Sequence, residues 1–182
     1  MGKRQQMWKA AGLALVLATG AWADAPKTAV DPTGMTVVQN VDLTRYAGLW
    51  YEIARFPASF EKNCVGVTAE YALRTDGKVD VLNTCRKGSL DAAPRTAKAV
   101  ATVTGPGKLS VNFVPWLPFV AGDYWVLHLE PDYSLAVVGG PDRKYGWILS
   151  RTKVADPKAL ARAMQVLTDN GYDVTRLEQV AQ

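Results

Sequence analysis

The feature that most constrains this chain is a series of short β-type segments, evenly spaced and joined by connections that alternate between tight and long. Eight segments follow one another: Trp50–Phe56, Val65–Arg74, Lys78–Cys85, Ala97–Thr104, Leu109–Val114, Asp123–Leu129, Leu135–Val138 and Tyr145–Arg151. Strands this short, at this spacing, predict an antiparallel barrel or sandwich. Thr75-Asp76-Gly77, Gly105-Pro106-Gly107 and Pro131-Asp132 carry the residues that close hairpins. The alternate connections, 57–63, 86–96, 115–122 and 139–144, are longer. In an up-and-down meander successive connections fall at opposite ends, so the tight turns shut one end and the long loops leave the other open.

Helical signals gather near the C-terminus. Asp156 suits an N-cap and Pro157 the first helical position, while Leu160, Met164 and Leu167 recur on one face before Gly171 ends the segment. The expected fold class is therefore all-β with one C-terminal α-helix packed outside an eight-stranded antiparallel barrel, followed by a short strand near 175–180.

The first residues bear on compartment. Lys3, Arg4 and Lys9 precede an apolar run from Ala10 to Ala21, and Ala21-Trp22-Ala23 offers a small-x-small cleavage site. This is the pattern of a secretory signal peptide, and the run is short for a membrane span. The reading divides the chain into a signal peptide over 1–23, a lead segment over 24–40 and a barrel with its helix over 41–182. Removing three basic residues and no acidic one takes the formal charge from +4 to +1, so the basic pI of the whole chain is no argument for nucleic acid. An exported protein meets an oxidising compartment, and Cys64 and Cys85, the two cysteines, are expected to bond there. No cysteine adjoins the cleavage site, so the expectation is a periplasmic protein without a lipid anchor, outer-membrane association remaining open.

Three local patterns carry a family resemblance: Gly48-Leu49-Trp50 before the first strand, Pro131-Asp132-Tyr133 in a tight turn and Trp147-Ile148-Leu149-Ser150-Arg151 in the eighth strand. Their order and spacing resemble the three signature regions of lipocalins. The stretch Trp50–Phe56, with Gly140-Pro141-Asp142, is similar to the bacterial lipocalins and their apolipoprotein D-like relatives. The resemblance spans roughly residues 40–180 and implies a lipocalin (calycin) barrel that carries a small lipid. For Gly48, Trp50 and Arg151 it implies a structural role, in which the indole closes the barrel floor and the guanidinium lies across it.

Strand side chains alternate between faces, so one inward residue fixes the rest of its strand. With Trp50 inward, Glu52, Ala54 and Phe56 follow. The same register gives Val67, Ala69 and Tyr71; Val81 and Asn83; Ala101; Val111 and Phe113; Tyr124, Val126 and His128; and Trp147. These are the expected ligand contacts, subject to any bulge that would flip a set. Small residues such as Ala54, Ala69 and Ala101 favour a cavity over a filled core, in a barrel of a size that permits either.

The long loops carry Lys62, Arg86, Lys87, Arg95, Arg143 and Lys144 against Glu61, Asp91 and Asp142, which predicts a net basic mouth. Beside it runs Val114-Pro115-Trp116-Leu117-Pro118-Phe119-Val120, an apolar loop that is costly if it simply faces water. Trp116 and Phe119 are accordingly expected to meet a membrane surface, a second copy of the chain or the ligand. The expected ligand is a fatty acid, lysophospholipid or similar amphiphile, with no cofactor, metal or nucleic acid. Two alternatives stand beside this reading. A free cavity cysteine could act as a nucleophile, as in isomerising relatives of the fold. His128, the lone histidine, could hold haem or contact a small hydrophobic ligand.

Overall fold

The computed structural model describes residues 25–114, 116–117 and 120–182. The leader reading over 1–23 lies outside these residues, as does Phe119. Chain order runs β1 (Thr28–Val30), β2 (Thr36–Val38), α1 (Leu43–Tyr46), β3 (Gly48–Arg55), β4 (Cys64–Leu73), β5 (Val79–Lys87), β6 (Pro94–Gly105), β7 (Lys108–Asn112), β8 (Gly122–Leu129), β9 (Leu135–Gly139), β10 (Gly146–Ser150), α2 (Pro157–Asp169) and β11 (Glu178–Gln179). Strands β3 to β10 pair antiparallel in sequence order, and β10 pairs back onto β3 to close an eight-stranded barrel. The tight turns and long loops segregate to opposite ends, as the alternating connection lengths require.

Every residue of β9 is buried, because one face points into the barrel and the other lies in the apolar layer beneath α2. Asp156 caps α2 by accepting from the Ala159 amide at 2.8 Å, and Gly171 takes the left-handed conformation just past its end at φ 80°. Ala159, Ala163 and Leu167 form its buried face. Met164, expected on that face, is instead exposed. Leu160 and Leu167 pack against the sheet as expected, and Ala159 and Ala163 complete the contact in place of Met164.

The lead segment is more ordered than its polar sequence suggested. β1 and β2 form a hairpin whose Met35, Val37 and Val38 are fully buried. Val38 reaches the shut end so closely that a Cβ on Gly107 would lie 1.9 Å from its carbonyl oxygen. Only glycine fits the β6–β7 turn there, at φ 63°.

At the open end β3 and β4 part. β3 pairs with β4 only over Gly48–Tyr51, a bulge in β4 where Gly66 adopts φ 55° interrupts the β4–β5 ladder, and β11 takes up the free edge of β3. The Val180 amide donates to the Ile53 carbonyl at 2.9 Å and the Gly66 amide to the Ala181 carbonyl at 2.7 Å. Val180 packs there with Val67 and with Cys64, which is bonded to Cys85. The seam between β3 and β4 is thus closed by the C-terminal segment, which packs against the disulfide joining β4 to β5.

Candidate functional site

The shut end is built around Trp50, which is fully buried. Its indole Nε1 donates to the Tyr46 carbonyl at 2.8 Å, and the Arg151 guanidinium lies 3.9 Å from its ring centroid. Arg151 also donates to the carbonyls of Arg45 at 2.8 Å, Tyr46 at 3.1 Å, Ala47 at 2.9 Å and Leu49 at 2.7 Å. A guanidinium that spends its donors on four carbonyls at a chain entry fixes that entry firmly, which a point-charge ammonium cannot do. Above this floor the Tyr124 hydroxyl is hydrogen-bonded to Tyr46 at 2.7 Å and Tyr71 at 2.9 Å. Burial raises the pKa of all three hydroxyls and keeps them protonated.

Over the floor lies a cavity of about 410 Å³ that opens between the long loops. Strand residues Val67, Ala69, Tyr71, Val81, Asn83, Val111, Tyr124, Trp147 and Leu149 line its wall, with Phe113 just beyond β7. Loop residues Phe60, Glu61, Val120, Ala121, Asp142 and Tyr145 line its mouth. Nine of the expected contacts therefore meet around one space.

The other five do not. Ala101 and Val126 point inward but are packed into the apolar cluster of the floor, beneath the cavity. Ala54 and Phe56 face the opposite way, into the layer under α2. The cause is a bulge: Leu149 pairs with Glu52 and Ile148 with Ala54, leaving Ile53 unmatched. Beyond it the faces exchange, Ala54 and Phe56 turn outward and Arg55 turns in. A second bulge does the same to His128. Val126 pairs with Val138 but His128 with Val137, so Leu127 is the extra residue. His128 is outside the cavity, 3.2 Å from Glu130, which also binds Arg162 of α2. The reading of His128 as a haem or ligand contact is therefore corrected, and the reading of a free thiol nucleophile fails because both cysteines are spent in one disulfide.

Arg55 is the residue that alternation hid. It donates to Glu52 Oε1 at 2.8 Å and to the Glu61 and Cys64 carbonyls, each at 3.2 Å, with Glu61 Oε2 4.0 Å from its Nε. Trp147 Nε1 donates to the same Glu61 oxygen at 3.1 Å. Burial, then the neighbouring Glu61 charge, pushes the Glu52 carboxyl up to about 8 despite Arg55. Burial also raises Glu61, against the pull of Trp147 and Arg55. An opposite charge three residues from Glu52 in an apolar run was the available signal, and only the bulge makes it an inward pair.

The mouth is also not basic where it meets the cavity. The charged side chains among the lining residues are Glu52, Glu61, Asp123 and Asp142. Arg143, counted as a mouth cation, folds back to donate to the Asn170 carbonyl at 2.7 Å and the Pro141 carbonyl at 3.0 Å. Lys87 is tied to the Lys62 carbonyl at 2.7 Å.

A closed eight-stranded barrel, floored by an arginine-capped tryptophan and flanked by one helix, is the architecture of a lipocalin. The family model described as a lipocalin-like domain matches residues 41–182, and the chain belongs to the lipocalin family. It is 40% identical over 154 residues to temperature-induced lipocalin-1 of Arabidopsis thaliana, covering 81% of this chain and 83% of that protein. It is 38% identical over 151 residues to the outer membrane lipoprotein Blc of Escherichia coli (strain K12), covering 83% and 85%. The fold is similar to that of insecticyanin from the tobacco hornworm Manduca sexta, with a TM-score of 0.62 at 21% identity, over 90% of this chain and 87% of that one.

Proposed function

We propose that this lipocalin is an exported carrier that holds a fatty acid, a lysophospholipid or a similar single-chain amphiphile in its barrel, for transport, storage or scavenging in the cell envelope, and catalyses no reaction. The observation that carries the reading is the cavity of about 410 Å³, sealed below by Trp50 and open above. Its size falls within the ~300–1,000 Å³ of small-molecule sites. Burying a methylene is worth about 0.8 kcal/mol, so an acyl chain of more than ten methylenes offers a gross gain of about 10 kcal/mol. Association and ordering remove much of that, which leaves micromolar or tighter binding.

Kinship with an outer membrane lipoprotein supports the envelope location, as does the leader-type pattern of residues 1–23. Around the mouth Trp116, Phe60 and Leu90 are exposed on three different loops, Trp116 at 78%. An apolar rim at the door of a lipid cavity suits contact with a membrane surface, from which cargo enters or to which it returns; a second copy of the chain would cover the same side chains.

The test uses N-phenyl-1-naphthylamine, a neutral apolar dye that brightens when it leaves water. The purified protein should bind the dye with micromolar affinity and release it to laurate or a lysophospholipid. Val81→Trp, which fills the cavity, should abolish the signal without lowering the thermal midpoint by more than a few degrees. A parent protein that neither binds the dye nor any of these lipids ends the carrier reading.

A further inference from the structure

Phe60, Tyr145 and Trp147 form a connected cluster of rings where the cavity meets solvent. Phe60 and Tyr145 pack edge to face with centroids 5.3 Å apart, and Tyr145 stacks on Trp147 at 6.2 Å. One carboxylate stands among them, Glu61 held by the Trp147 indole, and Asp142 from the β9–β10 loop lines the same cavity, as do all three rings. No lysine or arginine is among the described lining residues. Arg55, which turns inward but is not among the lining residues, already faces two carboxylates, Glu52 and Glu61. Glu52, pushed up to about 8, keeps its proton at neutral pH, so Arg55 balances Glu61, and Asp123 and Asp142 are the lining carboxylates that have no ion-pair partner among the described residues.

A site of this kind is poorly suited to a carboxylate or sulfate head, which would be pushed into like charge after losing its water. It suits a cation whose methyl or methylene groups replace water against the rings while its charge completes the carboxylate cluster. The Tyr145 ring already attracts such a group, since the exposed Lys144 ammonium lies 5.1 Å from its centroid. We propose that the mouth of the cavity is a headgroup site for an ammonium-bearing amphiphile, with Phe60, Tyr145 and Trp147 contacting the head and Glu61 and Asp142 balancing its charge. This deepens the carrier reading and rests on it: the chain fills the barrel, and the head selects the cargo.

Burial raises the Glu61 carboxyl above its usual range, so a docked cation also favours the charged form of this acid. The groups that share its surroundings are Glu52, Arg55 and Lys87, with Asp142 and Asp123 elsewhere on the cavity lining. Binding of the ammonium ligand should accordingly strengthen as pH rises through the range in which Glu61 loses its proton.

The test compares three ligands with one dodecyl chain and different heads, below their micellar concentrations, in displacing N-phenyl-1-naphthylamine. Dodecyltrimethylammonium should compete about tenfold better than laurate, with neutral dodecanol between them. Glu61→Gln should cut that ratio severalfold. Phe60→Ala removes a ring whose side chain is more than half exposed, so it keeps the test valid if the buried Glu61 variant folds poorly, and it too should lower the ratio. Laurate binding as tightly as the cation overturns the headgroup assignment and leaves the carrier standing. A cation preference unchanged in both variants overturns the assignment to these residues. If the dye binds and none of the three displaces it, or the dye itself fails to bind, the carrier reading falls and this proposal with it.

Discussion

The Arg151 guanidinium lies over the Trp50 ring at 3.9 Å while donating to four backbone carbonyls of the segment that leads into β3. The two side chains make one object, a lid on the closed end. Trp50→Ala should lower unfolding free energy by about 3–5 kcal/mol, the range for deleting a large buried aromatic. Arg151→Lys should also destabilise, since it keeps the charge but loses the fork. Equilibrium denaturation in urea measures both, and a Trp50→Ala protein as stable as the parent would show that the floor closes some other way.

Glu52 makes stability depend on pH. Its carboxyl is pushed from 4.5 to about 8 by burial and by Glu61. An acid raised in the folded state binds its proton more tightly there than in the unfolded chain, so its contribution is complete below pH 4.5 and is lost as pH rises through about 8. The thermal midpoint should fall between pH 5 and 8.5, and Glu52→Gln should flatten that slope. Asp31, lowered to about 2 by its bond to Lys108, acts in the opposite sense and only in acid, outside this window. A midpoint rising across the window counts against the buried acid.

The Cys64–Cys85 bond joins residues 21 apart in sequence and pins the mouth end of β4 to β5. A closed loop of this length corresponds to about 3 kcal/mol of restraint on the unfolded chain. The double variant Cys64→Ala, Cys85→Ala should unfold at a midpoint several degrees lower and by calorimetry should still unfold in a single transition. An unchanged midpoint would mean that the β4–β5 ladder holds the mouth end of these strands without the bond.

Asn83 lines the cavity, and its Oδ1 finds no hydrogen-bond partner among the described residues. A buried acceptor without a partner carries an uncompensated desolvation cost. Asn83→Leu should therefore raise unfolding free energy by about 1 kcal/mol in protein stripped of lipid. Loss of stability instead would identify an interaction of this amide that the protein depends on.

The barrel was legible in the sequence because its strongest determinants are local. Turn residues such as Gly77 and the lengths of the loops do not depend on distant contacts. Side-chain direction was less legible, since it rests on counting by twos. One extra residue at Ile53 and another at Leu127 reverse the count, and neither differs in type from its neighbours. Ala54, Phe56 and His128 were lost to the cavity in this way, while Arg55 turned inward to pair with Glu52. The mouth was misjudged for another reason. Charges were counted along loops, but Arg143 turns back to cap carbonyls near α2 while Glu61 and Asp142 turn in. Met35 and Val37 gave too short an apolar signal to show that a polar lead ends in a buried hairpin.

Most of the apolar mass between sheet and helix, from Met35 and Val37 through Leu127 and Val137 to Leu167, lies on the far side of the strands from the cavity. The wall facing the ligand is thus braced from outside, as a hull is by its frame. Emptying the hold removes none of those contacts, so the vessel keeps its shape, full or vacant, without buckling.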